Sequence, residues 1–343
     1  MLQFRRLAMM QKAIAEPIDT NDYLTFEALE DGFSVKFYPS KVQYCIDGDG
    51  KWMTMFPYSD STTINKGQTI SIKATLKVNS DYRSVGRFEL NKKANVKGNI
   101  MSLVYGENRE QDDIIPENGM FDSLFENNEN LISAQNLLLP ATELKTRCYD
   151  SMFYNCTSLT DAPLLLPAST LADYCYMGMY QDCNSLRTAS EMAATTLASE
   201  CCASMYQDCT SLTIAPKLPA TNLANSCYSF MFNRTGLINA PALPATTLAD
   251  YCYEGMFHYC KDLESAPVLV AKTMKPNCYD QMFDNCNKVA YIKMLAEEFV
   301  ADSTTYWVRN VSPSGTFVKA AGVEIPTGTS GIPEGWTVEE VAV

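Results

Sequence analysis

Cysteine is the residue type with the most chemical potential in this chain. Its 343 residues include 13 Cys, with 17 Met and a single His. Regularly spaced thiols can pair as disulfides, bind a soft metal or act as nucleophiles. The one imidazole, His258, stands two residues before Cys260. A Cys–His nucleophilic pair needs its ring nitrogen within hydrogen-bond reach of the sulfur. A lone His removes most zinc-enzyme sites and the Ser-His-Asp triad, which need His as ligand or base. The sequence holds no Cys-x-x-Cys zinc ribbon and no Gly-x-x-x-x-Gly-Lys phosphate loop. Asp47-Gly-Asp-Gly50 has Tyr58 where a calcium loop needs Glu, so it reads as an Asp-Gly hairpin turn. Forty acidic residues leave room for a glycosidase-type carboxylate pair. No catalytic residue, metal ligand or cofactor is assigned.

The cysteines acquire meaning from their spacing. Cys148-Tyr-Asp-Ser-Met-Phe-Tyr-Asn-Cys156 recurs, with its first Cys at Cys148, Cys175, Cys201, Cys227, Cys252 and Cys278. The steps are 27, 26, 26, 25 and 26 residues. The second Cys falls at Cys156, Cys183, Cys209, Cys260 and Cys286, with Thr235 in the fourth copy. Met120 to Leu131 is a degenerate earlier copy. A period of this length means a solenoid.

With the first Cys as position 0, the apolar positions are 0, 1, 4, 5 and 8. At about 100° per residue they fall near 0°, 100°, 40°, 140° and 80°, on one face of a helix. The spacing predicts a two-turn helix per copy, which must bury that face against its neighbours. The other half of each copy, as in Leu212 to Pro219, carries two prolines and reads as a short strand or extended turn with a corner. The eleven cysteines then form a structural core ladder of small hydrophobes, and Met152, Met179, Met205, Met231, Met256 and Met282 fill position 4. Disulfides between equivalent Cys of adjacent coils remain the alternative. Only Cys45 and Cys202 fall outside positions 0 and 8. His258, at position 6, belongs to the outer face and Cys260, at position 8, to the inner.

The elements around the repeat follow from simpler patterns. Tyr23–Leu29, Phe33–Phe37, Val42–Ile46, Lys51–Phe56 and Thr69–Leu76 alternate as strands do, which predicts an antiparallel, Ig-like β-sandwich. The expected organisation is an N-terminal arm (1–20), the sandwich (21–105), a linker (106–119), the solenoid (120–300, about seven copies) and a C-terminal cap (301–343). Trp307, Phe317 and Trp336 look like cap residues. The expected class is α+β, with short strands and short helices in each coil.

Composition limits the partners. An apolar fraction of 46% and a charged fraction of 20% suit a folded chain. A net charge of −13 argues against nucleic acid. No apolar run approaches the ~18 residues of a membrane span. After Arg5-Arg6 only four apolar residues precede Gln11 and Lys12, so no secretory signal peptide is read.

The coil resembles the BspA-like, Treponema-type leucine-rich repeat of bacterial surface proteins. Met152-Phe-Tyr-Asn-Cys156-Thr-Ser-Leu159 and Leu166-Pro167 carry the likeness. The unit here is about three residues longer and has Cys-Tyr where that family has Ile-Gly. The layout also resembles surface proteins of Bacteroides and their phages, through Gly98–Gly106, Gly315–Lys319 and Gly331–Val338. The resemblance implies surface binding without a reaction.

The resulting expectation is a non-enzymatic binding or structural protein on a virion or cell surface. It would display its solenoid to a protein or glycan receptor. The arm would dock on other virion proteins, and a homo-oligomer is compatible. The alternatives are a bacterial adhesin and a carbohydrate-active enzyme. Tyr154, Met177, Phe230, His258 and Tyr259 break the small, polar rule of the outer helix face and are the candidate binding residues.

Overall fold

The computed structural model describes residues 23–79, 83–108 and 111–342. The arm at 1–20 lies outside them. The chain is almost all strand and turn, with an N-terminal sheet and a β-solenoid of about seven turns between residues 165 and 341.

The N-terminal strands are β1 (Leu24–Ala28), β2 (Val35–Tyr38), β3 (Val42–Ile46), β4 (Met53–Met55), β5 (Thr69–Lys73), β6 (Arg87–Leu90) and β7 (Ala94–Asn99). They form two layers. The larger sheet runs β4-β3-β5-β1-β7 and the smaller is the antiparallel pair β2-β6. Asp47 to Gly50 turns β3 into β4, as the Asp-Gly sequence predicts. Phe26, Phe37 and Phe88 meet between the layers, with ring centroids 4.6 to 5.1 Å apart.

Both layers run on into the solenoid. Strand β8 (Leu131–Leu138) pairs in parallel with β7 and becomes the sixth strand of the larger sheet. Parallel bridges then carry that face onward, from Ser133 to Asp161 to Thr188. On the opposite face, β6 and the residues just before it hydrogen-bond the first repeat: Val85 N–H donates to the Met120 carbonyl (3.1 Å) and Phe88 N–H to that of Leu124 (2.9 Å). The sandwich thus covers the raw start of the solenoid on both faces, which every solenoid needs. The segment leading into the first coil packs closely: Ile115 is buried and Ile114 bridges Glu143.

The two-turn helices expected at positions 0 to 8 are not formed. One-turn α1 (Ser102–Tyr105) is the sole α-helix among the described residues, and 301–303 form a short 3₁₀ turn. Each copy instead makes a flat ribbon of turns with alternating hydrogen bonds. Even positions donate locally: Met152 N–H to Tyr149 O (3.3 Å), Tyr154 to Ser151 (2.9 Å), Cys156 to Phe153 (3.1 Å). Odd positions donate to the next coil: Tyr149 to Cys175 (3.0 Å), Ser151 to Met177 (2.8 Å), Phe153 to Met179 (2.9 Å). Every fourth residue is left-handed, as at Arg147 (φ 58°), Ser151 (52°) and Asn155 (55°). That reversal is what turns alternate N–H groups sideways.

Spacing explains why the ribbon replaces the helix. Neighbouring coils hydrogen-bond along both faces, so they stack at about 5 Å. Packed helices need 8–10 Å between axes. The position-5 rings confirm the close stack: Phe125, Phe153, Tyr180, Tyr206, Phe232, Phe257 and Phe283 follow at 5.2 to 5.9 Å, nearly parallel. Phe88 extends this column into the sandwich (5.7 Å) and Trp307 ends it (6.2 Å). The ribbon geometry recurs at 303–311, where Tyr306 and Asn310 are left-handed.

The far end is closed by β11 (Val268–Leu269), β12 (Tyr291–Met294), β13 (Thr316–Ala320) and β14 (Thr337–Val341), a parallel sheet in that order. Strands β9 (Leu165–Leu166) and β10 (Glu191–Met192) pair in parallel earlier in the solenoid. Trp307, Phe317 and Trp336 are buried, and the two indoles donate to Gly331 O (2.9 Å) and Ser312 O (2.8 Å).

Candidate functional site

Positions 0, 1, 4, 5 and 8 of the ribbon are buried in the core, and 2, 3, 6 and 7 form the outer face, on which Asp150, Asn233, Asp280 and Asp284 are nonetheless buried. The eleven ladder cysteines are all free and fully buried. Those at position 8 have a polar task besides packing. Their S–H groups donate to the position-5 carbonyl one coil back, at 2.9 to 3.0 Å for Cys156, Cys183, Cys209, Cys260 and Cys286. Thr235 keeps a hydroxyl in this row, bonding Phe232 O (2.9 Å) and Cys260 Sγ (3.3 Å). Burial pushes the thiols of Cys148 and Cys156 up to about 12 and Cys260 to about 11. Such thiols are poor nucleophiles. Cys202 proves to be a ladder residue too, at position 1, where the neighbouring coils carry Tyr176 and Tyr228.

The five candidate binding residues lie on the outer ribbon face and are all half-buried. Three of them come together. The His258 ring meets Tyr259 edge-on at 4.5 Å and Phe230 at 6.2 Å. Phe230 lies flat over the next coil because Gly255 is there: a Cβ on Gly255 would stand 2.2 Å from the Phe230 ring. Tyr154 and Met177 lie in earlier coils, away from this cluster. Burial and the neighbouring Asp182 raise the Tyr154 phenol, with the Asp182 charge the larger cause.

Stacking adds residues that sequence order hides. His258, Asp284 and Arg309 all occupy position 6 of successive coils. His258 Nε2 stands 3.3 Å from Asp284 Oδ2, and Arg309 grips the same carboxylate through Nε (3.0 Å) and Nη2 (2.5 Å). The Asp284 side chain is fully buried. Arg234 lies over the Tyr259 ring (5.5 Å) and reaches Asp208 (3.6 Å), while Arg309 lies over Tyr306 (4.9 Å). Desolvation holds the imidazole below its ordinary value, against the pull of Asp284 and with help from the two arginines. Nε2 thus faces the Asp284 carboxylate, while Nδ1 is buried with no hydrogen-bond partner among the described residues. Cys260 faces the other way, onto Phe232 O, so no Cys–His pair forms. Counting position 6 across coils is the signal that would have joined His258 to Asp284 and Arg309.

The cluster can stack planar or apolar groups on Phe230, Tyr259 and Tyr306, and offer guanidinium donors beside them. No grouping of three or more His, Cys, Asp or Glu side chains suited to a metal occurs among the described residues. No helix among them is long and apolar enough to cross a membrane. No family model, curated protein or solved structure matches this chain.

Proposed function

We propose that this is a non-enzymatic recognition protein whose ribbon face binds a protein or glycan receptor. The carrying observation is the cluster of Phe230, Arg234, His258, Tyr259, Tyr306 and Arg309 on adjacent coils of a rigid stack. Earlier coils show mostly small or polar residues at the same positions, such as Ser151, Gln181 and Gln207. A fixed scaffold with local variation confined to outward positions is how solenoids build recognition surfaces. Tyrosine and arginine are the residues that dominate such surfaces.

The leucine-rich-repeat likeness and display on a virion or cell surface belong to this reading. Its support is the coil sequence and the outward cluster. The test is binding of labelled protein to intact bacterial cells and to a glycan array. Phe230→Ser with Tyr259→Ser should abolish binding while leaving the thermal midpoint within a few degrees. Binding untouched by this pair would overturn the reading, as would turnover of a polysaccharide that disappears on changing one Asp or Glu.

A further inference from the structure

The charge of the chain is unevenly divided. Residues 23–108 hold 11 Lys and Arg against nine Asp and Glu, whereas residues 109–343 hold 13 against 28. The basic excess gathers at a groove of about 950 Å³ on the outer face of the larger N-terminal sheet. Thr54, Gln43 and Lys73 stand in register across β4, β3 and β5 and form its floor. The segment 74–79 and Tyr105 to Glu107 wall one side; Pro39 to Lys41 and Pro57 wall the other.

The charges in this groove are not equivalent. The Lys73 ammonium is committed: it sits 3.9 Å from the Trp52 ring and 2.5 Å from Glu107. That contact holds the Glu107 carboxyl below its ordinary value, so the two charges offset one another. Glu117 stands behind the wall, its carboxylate accepting the Val78 N–H at 3.2 Å. Lys41 and Lys77 are exposed on the groove lining and make no ion pair among the described residues. Among the described residues these two positive charges face no carboxylate within ion-pair distance, above an amide and hydroxyl floor.

We propose that this groove is a second binding site, separate from the ribbon face, for an oligosaccharide carrying uronic acids. Lys41 and Lys77 would meet carboxylates, while Gln43 and Thr54 would meet ring hydroxyls. A floor three strands wide spans about 10 Å, the scale of a flat sugar unit. Phe56, 63% exposed, flanks the lining residue Pro57 in the chain and offers an apolar face to sugar C–H groups, whereas Tyr58 is stacked on Tyr38 (5.5 Å). A nucleic acid fits poorly, because its backbone would run beside the strongly acidic solenoid.

The test is calorimetry on the full chain with four probes: oligogalacturonate, oligoalginate, neutral dextran oligosaccharide and polyglutamate peptide. At least one uronate oligosaccharide should bind, and the dextran and the peptide should not. Lys41→Glu with Lys77→Glu, which reverses both charges, should weaken binding by about 10-fold or more, equivalent to about 1.4 kcal/mol. Gln43→Ala with Thr54→Ala, which leaves the charge intact, should weaken it as well. Phe230→Ser with Tyr259→Ser should leave it unchanged. Failure of both uronates to bind, equal binding of polyglutamate or dextran, or indifference to the lysine pair would each overturn the proposal.

Discussion

The Cys183 sulfhydryl donates to the Phe153 carbonyl of the preceding coil at 3.0 Å. That carbonyl already accepts the Cys156 N–H. The thiol therefore fills the second lone pair of a buried oxygen, and it does so in five coils. Cys183→Ala should lower stability by about 1–3 kcal/mol, from lost volume and an under-satisfied acceptor. Cys183→Thr should cost less, because it restores most of the volume and keeps a donor at this position, where Thr235 carries a hydroxyl that bonds Phe232 O of its own coil. Urea denaturation of both variants measures the difference.

The same burial makes a prediction about reactivity. With thiols raised to about 11 or 12 at Cys260, Cys148 and Cys156, the native protein should react negligibly with a thiol reagent at pH 8. In denaturant, without reductant, all 13 should react. A shortfall of four or more would show disulfides and contradict the free ladder.

Ribbon and helix respond oppositely to substitution at position 3. Ser204 has φ of 53°. In the ribbon, Ser204→Gly should be neutral or stabilising by up to about 1 kcal/mol, and Ser204→Val should cost about 1–2 kcal/mol or more. In a helix, glycine would be the costlier change. Thermal melts of the two variants decide the sign, and circular dichroism should show little helical signal.

Asp122 sets a pH dependence. Burial is the main cause that lifts its carboxyl from 3.8 to about 6, opposed by the Ser123 hydroxyl bond and assisted by Asp150. The folded state then holds this proton more tightly than the unfolded state. The penalty is fully present at pH 7 and disappears as pH falls through 6 toward 4. Relative to Asp122→Asn, the native protein should gain about 2–3 kcal/mol across that window. Stability curves of the two proteins that run parallel from pH 7 to 4 would contradict this.

The inward and outward faces of each copy were legible in sequence, while the backbone that creates them was not. A four-residue repeat advances 90° per residue and an α-helix about 100°. Over nine residues these differ by about 80°, less than the width of the buried face. Cys148, Tyr149, Met152, Phe153 and Cys156 therefore fall inward under either geometry. The distinguishing signal was at positions 3 and 7, where Ser151, Asn155, Gly178, Asp182 and Gly255 are residue types that favour left-handed backbone or capping over helix interiors. The lysine groove lay beyond sequence reading, because the register of Thr54, Gln43 and Lys73 is set by strand pairing.

The alternation of local and inter-coil hydrogen bonds has a geometric consequence. Every ribbon presents the same donors to the next coil and the same acceptors to the one before, so coils are interchangeable units. Removing residues 201–226, from Cys201 to just before Cys227, would leave both ends of the stack with their native partners. It would also draw the Phe230–Tyr259 cluster about 5 Å nearer the N-terminal sheet. Coil number thus acts as a ruler between the two ends of the molecule, graduated in steps of one hydrogen-bonded layer.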